Sequence, residues 1–191
     1  MNLCRRAGLR IVANAIDPHV GSWFKDAGFH EKERTMKGNA KLLDTLNVLL
    51  ADELTAISQY MVHSEMCSNW GYEQLHKKVE ERAIQEMKHA EKLIGRIIFL
   101  EGTPRVDRLN KISVGPDVAK QLANDLKAEQ GAWKMYNDAI HLADEVSDAP
   151  TRNLLESIVR DEDAHIDWLE EQHDQIKQIG VELYLANQAK E

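Results

Sequence analysis

Two copies of one polar pattern constrain the fold of this 191-residue chain more strongly than any other feature. In each copy a glutamate is followed 33 residues later by a Glu-x-x-His motif, and a tyrosine stands seven residues after the first glutamate. The copies are Glu53, Tyr60, Glu86 and His89, and then Glu129, Tyr136, Glu162 and His165. Polar residues repeated at matched offsets predict two similar helix pairs that face each other around one site.

Apolar residues recur at helical spacing around each of these glutamates, and this period predicts four long helices and a short fifth one. The first helix should end near Asn69 and the second should reach Leu100. The third should start near Asp117, with Trp133 on its inner line. The fourth should be capped by Asp148 and end at Gly180, and the fifth should cover 181–189.

The long connection between the second and third helices sets the topology. Residues 101–116 contain glycines and prolines and could span roughly 50 Å if extended, which is enough to traverse a bundle. The first two and the last two helices are instead joined by short turns, as antiparallel hairpins are. We therefore predict an all-α fold, a ferritin-like four-helix bundle with one long crossover.

Glutamates on apolar helix faces need a compensating charge, because an isolated buried carboxylate costs several kcal/mol. Arg82 is the one nearby cation on such a face, so we expect two divalent metal ions, rather than ion pairing, to neutralise the four glutamates. Oxygen-rich ligation with one imidazole per ion favours iron or manganese over a structural zinc site.

Two further Glu-x-x-His motifs serve as internal controls, since the motif alone is weak. They are Glu73/His76 and Glu170/His173, and neither has a glutamate 33 residues before it. We interpret both as ordinary surface pairs.

Composition excludes several other functions. A net charge of −8 argues against a nucleic-acid partner, and the sequence contains no apolar run long enough to span a membrane. Cys4 and Cys67 form no disulfide framework, which favours a cytoplasmic protein. Residues 1–35 differ in character from the rest, and we predict a flexible extension or an upstream start there, followed by one domain over 36–191.

Met87 lies on a second, partly apolar line of the second helix, together with Ile84, Ile94 and Ile98. A helix that is apolar on two sides buries one of them outside its own bundle, and another subunit is the simplest partner. From composition alone a methionine there is more often a packing residue than a haem ligand.

Several of these motifs resemble those of a known protein family. From Met36 onward the chain resembles bacterioferritin, most specifically in the segments Asn69-Trp70-Gly71, Glu86-Met87-Lys88-His89-Ala90-Glu91, Phe99-Leu100-Glu101-Gly102 and 161–170. The resemblance implies a di-iron ferroxidase site with catalytic and metal-binding residues Glu53, Glu86, His89, Glu129, Glu162 and His165, and with Tyr60 in a supporting role. Glu86 and Glu162 would bridge two irons, Glu53 and His89 would complete one, and Glu129 and His165 the other.

The resemblance also implies an assembly. Met87 from two subunits would hold one haem b, and the subunits would form a homo-oligomeric 24-mer cage built from dimers. Fe(II) and O2 or H2O2 would be the substrates, with a bacterioferritin-associated ferredoxin as partner for iron release. Glu81 and Gln85 depart from a histidine and an aspartate that bind an extra iron in some members, so an accessory site on the inner surface is in doubt.

Two other functions compete with iron storage. One is a non-storage di-iron oxidase or peroxidase of the rubrerythrin type, or a manganese catalase, although the chain lacks the Cys-x-x-Cys motifs of a rubredoxin module. The other is a non-catalytic helical assembly protein, which would not need glutamates on four apolar helix faces.

Overall fold

Five α-helices make up the part of the chain that the computed structural model describes, residues 37–189. They are α1 (Ala40–Asn69), α2 (Glu73–Phe99), α3 (Val118–Glu145), α4 (Ala149–Ile179) and α5 (Val181–Gln188). The all-α prediction is confirmed, and each observed boundary lies within a residue or two of the predicted one. The extension predicted over 1–35 lies outside the described residues.

The helix ends follow local chemistry. Asp117 and Asp148 cap α3 and α4, each accepting a hydrogen bond from a backbone N–H three residues later, at 2.8 and 3.1 Å. Gly71, between α1 and α2, has a φ of +80°, a left-handed conformation that glycine adopts without steric cost. The turns between α1 and α2 and between α3 and α4 are therefore short, and each helix pair folds back on itself.

The two hairpins, α1–α2 and α3–α4, face each other mainly through α1 and α3. A large apolar cluster that includes Leu46, Leu93 and Ile158 fills one end of the bundle. A smaller cluster around Leu75 and Tyr184 fills the other end, where α5 covers it. The repeated glutamates lie between these clusters, so the surrounding core fixes their positions.

The long connection forms what we call the crossover strap, residues 101–117, which is held by side chains of α1. Four α1 side chains accept hydrogen bonds of 2.7–3.0 Å from strap backbone N–H groups. The pairs are Arg105 with Asn47, Asn110 with Thr55, Ser113 with Gln59, and Gly115 with His63. Irregular backbone lying against a helix needs such partners, because unpaired buried N–H groups are costly.

Trp133 corrects one prediction about α3. Its side chain is 42% exposed instead of lying on the inner line, while Ala139 and Ala143 are fully buried. The buried stripe of α3 passes through Tyr136, Ala139 and Ala143, and Trp133 lies outside it. Among the described residues, no helix is long and apolar enough to cross a membrane.

Candidate metal centre

The six predicted ligands converge in the middle of the bundle. Each of the four long helices contributes at least one of them, and each of the six is at most 9% exposed. They are Glu53 on α1, Glu86 and His89 on α2, Glu129 on α3, and Glu162 and His165 on α4. The Glu-x-x-His spacing places the two members of a motif one helical turn apart on the same face.

Four of these residues form the tightest group, which we call the α2 half of the centre: Glu53, Glu86, His89 and Glu162. One ligand atom from each lies within 4.8 Å of the corresponding atoms of the others. His89 Nδ1 is 3.0 Å from Glu86 Oε2, 3.1 Å from Glu162 Oε1 and 3.7 Å from Glu53 Oε2. Three carboxylates and one imidazole are thus directed at one small volume.

The remaining two residues form the α4 half, in which Glu129 and His165 share Glu162 with the first group. His165 Nδ1 lies 2.8 Å from Glu129 Oε1. The His165 ring stacks on Trp168, with centroids 5.6 Å apart and an interplanar angle of 13°. These contacts fix the orientation of the imidazole before any ion binds.

Each of the two repeated tyrosines donates a hydrogen bond to a glutamate of the other hairpin. Tyr60 on α1 donates its hydroxyl hydrogen to Glu129 on α3, and Tyr136 on α3 donates to Glu53 on α1. Burial, reinforced by the neighbouring carboxylates, raises the pKa of both phenols well above the usual value. Both therefore remain protonated donors that orient candidate ligands.

Arg82 makes contacts that the sequence did not predict. Its guanidinium contacts Glu86 and Glu162 closely and lies 3.2 Å from Glu129 Oε2. Burial alone would lower the pKa of Arg82, but the negative charges of Glu129, Glu86 and Glu162 outweigh this effect and raise the pKa above its ordinary value. Ion pairing with Arg82 therefore involves three of the four glutamates, although one positive charge cannot neutralise all of them.

The carboxylates divide into protonated and ionised groups, because four like charges in one buried site repel each other. Burial and repulsion from Glu53 raise the pKa of Glu86 to about 8, and burial also raises that of Glu162. Burial opposes ionisation of Glu129, but a hydrogen bond from Glu162 and the charge of Arg82 hold its pKa well below the usual range.

The imidazole of His89 faces the carboxylates of the α2 half, and they change its pKa. Burial would lower its pKa, but hydrogen bonds to Glu162, Glu53 and Glu86 raise it to about 12. On the other side of the ring, Asp161 Oδ2 lies 3.1 Å from Nε2 and also accepts a hydrogen bond from Gln85 at 3.0 Å. A carboxylate behind a histidine is the usual arrangement for orienting a metal ligand.

The donor set fits metal ions. One imidazole N–H of His89 is the shared donor for three buried oxygens: Glu86 Oε2 at 3.0 Å, Glu162 Oε1 at 3.1 Å and Glu53 Oε2 at 3.7 Å. A single donor leaves these carboxylate oxygens incompletely paired, which is costly in a buried site, and a bound cation would satisfy them. Hard oxygen ligands with one imidazole on each side suit iron or manganese.

Two cavities give access to the centre. One, of about 280 Å³, runs from Glu53 and Glu129 to Asn110 and Ser113 of the crossover strap. The other, of about 380 Å³, is lined by Arg82, His165 and Trp168 among others. Ions could reach the carboxylates from either side of the subunit.

Met87 lies away from this centre, on the outer face of α2. Its side chain is 55% exposed, and those of Ile84 and Met61 are 43% and 57% exposed. These three residues and Ile57 line a cavity of about 210 Å³. The predicted second apolar side of α2 is therefore present, with the thioether at its surface.

The control motifs behave differently from the repeated ones. His76 lies 2.8 Å from the Ser64 hydroxyl, and Glu170 is exposed. Within residues 37–189 the α2 half is the sole group of three or more histidine, cysteine or acidic residues close enough to share one ion.

Sequence reasoning missed Asp161 and Trp168 as neighbours of the site, and it placed Arg82 near Glu86 without its contacts to α3 and α4. Arg82 and Asp161 could have been suspected from spacing, because one stands a turn before Glu86 and the other immediately before Glu162. Spacing within one helix does not reveal, however, which residues of another helix they meet.

Comparison with known proteins agrees with this geometry. The ferritin-like domain family matches residues 43–179, and four helices that direct carboxylates and imidazoles inward define the class as ferritin-like.

Similar proteins identify the family of this chain within the ferritin-like class. The bacterioferritin of Rhodobacter capsulatus is 44% identical over 137 residues, which cover 72% of this chain and 85% of that protein. Those of Brucella melitensis and Mycobacterium avium are each 40% identical, over 78% and 79% of this chain and 92% and 95% of their own. This chain belongs to the bacterioferritin family.

Proposed function

We propose that this protein stores iron, and that its buried centre oxidises Fe(II) before the iron is deposited as a ferric mineral. The observation that carries the proposal is the α2 half, where three carboxylates converge on His89 and share its single N–H donor. Membership of the bacterioferritin family supports the same reading.

Each ligand has a distinct task. Glu86 and Glu162 would bridge two Fe(II) ions, Glu53 and His89 would complete the first site, and Glu129 and His165 would complete the second. Two adjacent ions can each give one electron to a single O2 or H2O2 molecule. Carboxylates can shift their binding mode as the charge rises, and Tyr60 and Tyr136 would keep two of them oriented.

Protons must leave before the ions bind. Metal ligands bind in their deprotonated form, whereas Glu86, Glu162 and His89 all have raised pKa values in the metal-free protein. Iron binding therefore releases protons. The guanidinium of Arg82, which contacts the same carboxylates, must move as the ions enter.

The exposed Met87 face supports a second part of the proposal. A methionine thioether beside an apolar cavity can ligate haem iron, and Met87 from two copies of this face would hold one haem b, which would supply a redox-active iron. The exposed apolar residues of α1 and α2 would be covered in that dimer. Twelve such dimers would form the proposed 24-mer cage, a number taken from the family resemblance.

Release and location complete the proposal. Reduction of the stored mineral by a small iron–sulfur ferredoxin would return iron as Fe(II). A cytoplasmic location is part of the same proposal, and fractionation of the cell of origin would test it.

The direct test is an iron-loading titration of the metal-free full chain in air, with iron counted per subunit after desalting. Retention far above two irons per subunit is expected of a mineralising cage. Saturation at about two irons would contradict storage and favour a non-storage di-iron oxidase or peroxidase. Sedimentation of the same sample measures whether the subunits form a closed 24-mer.

A further inference from the structure

Arg82 breaks the internal repeat of the chain at the metal centre. Glu86 and Glu162 occupy equivalent positions in the two hairpins, and each is preceded by a residue one helical turn earlier on the same face. In α2 that residue is Arg82, whereas in α4 it is Ile158, which is fully buried in the apolar core. The centre therefore has two similar halves and one cation that belongs to only one hairpin.

The guanidinium occupies the side of the centre on which the second ion would bind. It contacts Glu162 Oε2 and lies 3.2 Å from Glu129 Oε2; Glu129 belongs to the α4 half, and Glu162 is shared by both halves. An arginine cannot be neutralised by losing a proton, so it remains a competing cation at any ordinary pH. A metal ion in that half would have to displace it.

The α2 half is less affected. Arg82 contacts Glu86 Oε1 and Glu162 Oε2, but Glu86 Oε2 and Glu162 Oε1 both face His89 Nδ1. Glu53 Oε2 shares this one N–H donor with them, at 3.7 Å. A first ion can therefore use these oxygens and His89 while the guanidinium stays in place.

Arg82 also has space to move. It lines the cavity of about 380 Å³, together with Glu81, Gln85 and Asp161. Glu81 and Asp161 are acidic and partly or fully exposed, so the guanidinium could exchange its buried carboxylates for these without losing all of its ion pairs.

We propose that Arg82 makes metal loading stepwise: one ion binds first to Glu53, Glu86, His89 and Glu162, and a second ion binds at Glu129, Glu162 and His165 only after Arg82 leaves these carboxylates. This inference rests on the proposed function, because it concerns the order of loading at the same centre. Arg82 acts as a positioning residue that sets the relative affinity of the two halves.

Cobalt(II) titration of the metal-free full chain tests the order without any turnover, since cobalt binding is followed by its visible absorption and by calorimetry. Unmodified protein should bind two ions per subunit in two steps, the second weaker by roughly tenfold or more. In Arg82→Met and Arg82→Gln the two steps should merge, because the competing cation is gone. Lys77→Gln, an exposed change on the same helix and outside the lining of that cavity, should leave the two steps unaltered.

The outcomes separate this inference from the proposed function. Two equal binding steps in the unmodified protein, or an unchanged affinity ratio in both Arg82 variants, would overturn the role of Arg82 and leave storage untouched. Absence of cobalt binding would overturn the metal centre as well. If the variants do not fold, the unmodified protein still decides the question, because cobalt at one equivalent should occupy the α2 half alone in anomalous diffraction.

Discussion

The two hairpins carry the same ligand pattern in different surroundings. In α1–α2, His89 faces three carboxylates on one side of its ring and Asp161 on the other. In α3–α4, His165 contacts Glu129 and stacks on Trp168. A sequence repeat thus fixes where ligands stand, whereas the residues between the repeated positions determine how each half binds an ion.

Removal of the shared carboxylate should have the largest effect. Glu162 belongs to both halves, so Glu162→Ala should reduce the initial rate of Fe(II) oxidation by about a hundredfold or more, by analogy with the loss of other essential active-site groups. Stopped-flow absorbance measures this rate. Glu170→Ala, in a control motif on the same helix, should oxidise iron at the normal rate. Rapid oxidation by Glu162→Ala would show that the halves do not share this ligand.

The outer faces of the hairpins differ at Met87, whose counterpart in α4 is the exposed Asp163. Met87→Leu should lose most of the bound haem, since leucine keeps the apolar bulk but has no sulfur ligand, and Fe(II) oxidation should persist. Haem absorbance per subunit gives the measure. Met61→Leu, which changes the other methionine of the same cavity, should retain haem. Full haem content in Met87→Leu would exclude the thioether as the ligand.

The carboxylate behind His89 has no equivalent behind His165 among the contacts described above. Asp161→Asn should weaken cobalt binding in the α2 half by about ten- to a hundredfold, because it removes the charge that orients and polarises the imidazole. Calorimetry compares it with Asp163→Asn, an exposed change two residues away. Equal affinities in the two variants would mean that the ring is held by its carboxylate ligands alone.

The smallest expected effect is a pH dependence of stability. The pKa of Glu86 is raised from its ordinary 4.5 to about 8, so its contribution to stability is complete below about pH 4.5 and is lost as the pH rises through about 8. The metal-free protein should therefore melt at a lower temperature at about pH 8 than at about pH 5. A bound ion needs ionised carboxylates, so the stabilisation by Co(II) should grow over the same range. Scanning calorimetry with and without Co(II) would contradict this if the difference were constant.

Much of this architecture was predictable because a helical period specifies angular position. The inner line through Glu53 and Tyr60, the cap at Asp148 and the single long crossover follow from local rules, and the fold and family confirm them. Trp133 was misplaced because its position lies at the edge of the buried stripe, where neighbouring helices decide burial. The contacts of Arg82 were not predictable, because a long side chain can reach several partners across the bundle. Haem binding and cage assembly depend on other subunits and stay predictions.

The crossover strap has a consequence for the order in which the molecule folds. Each hairpin pairs segments that are close in sequence, whereas the four strap hydrogen bonds join residues 52–58 positions apart. Non-local contacts carry a larger loop-closure cost and tend to form late. The contacts that join the two hairpins at the metal centre span still more of the chain, 69 positions for Tyr60 with Glu129 and 83 for Tyr136 with Glu53. The strap should therefore dock on α1 before the carboxylates meet, so the outer wall of the cavity would exist before the metal centre is complete.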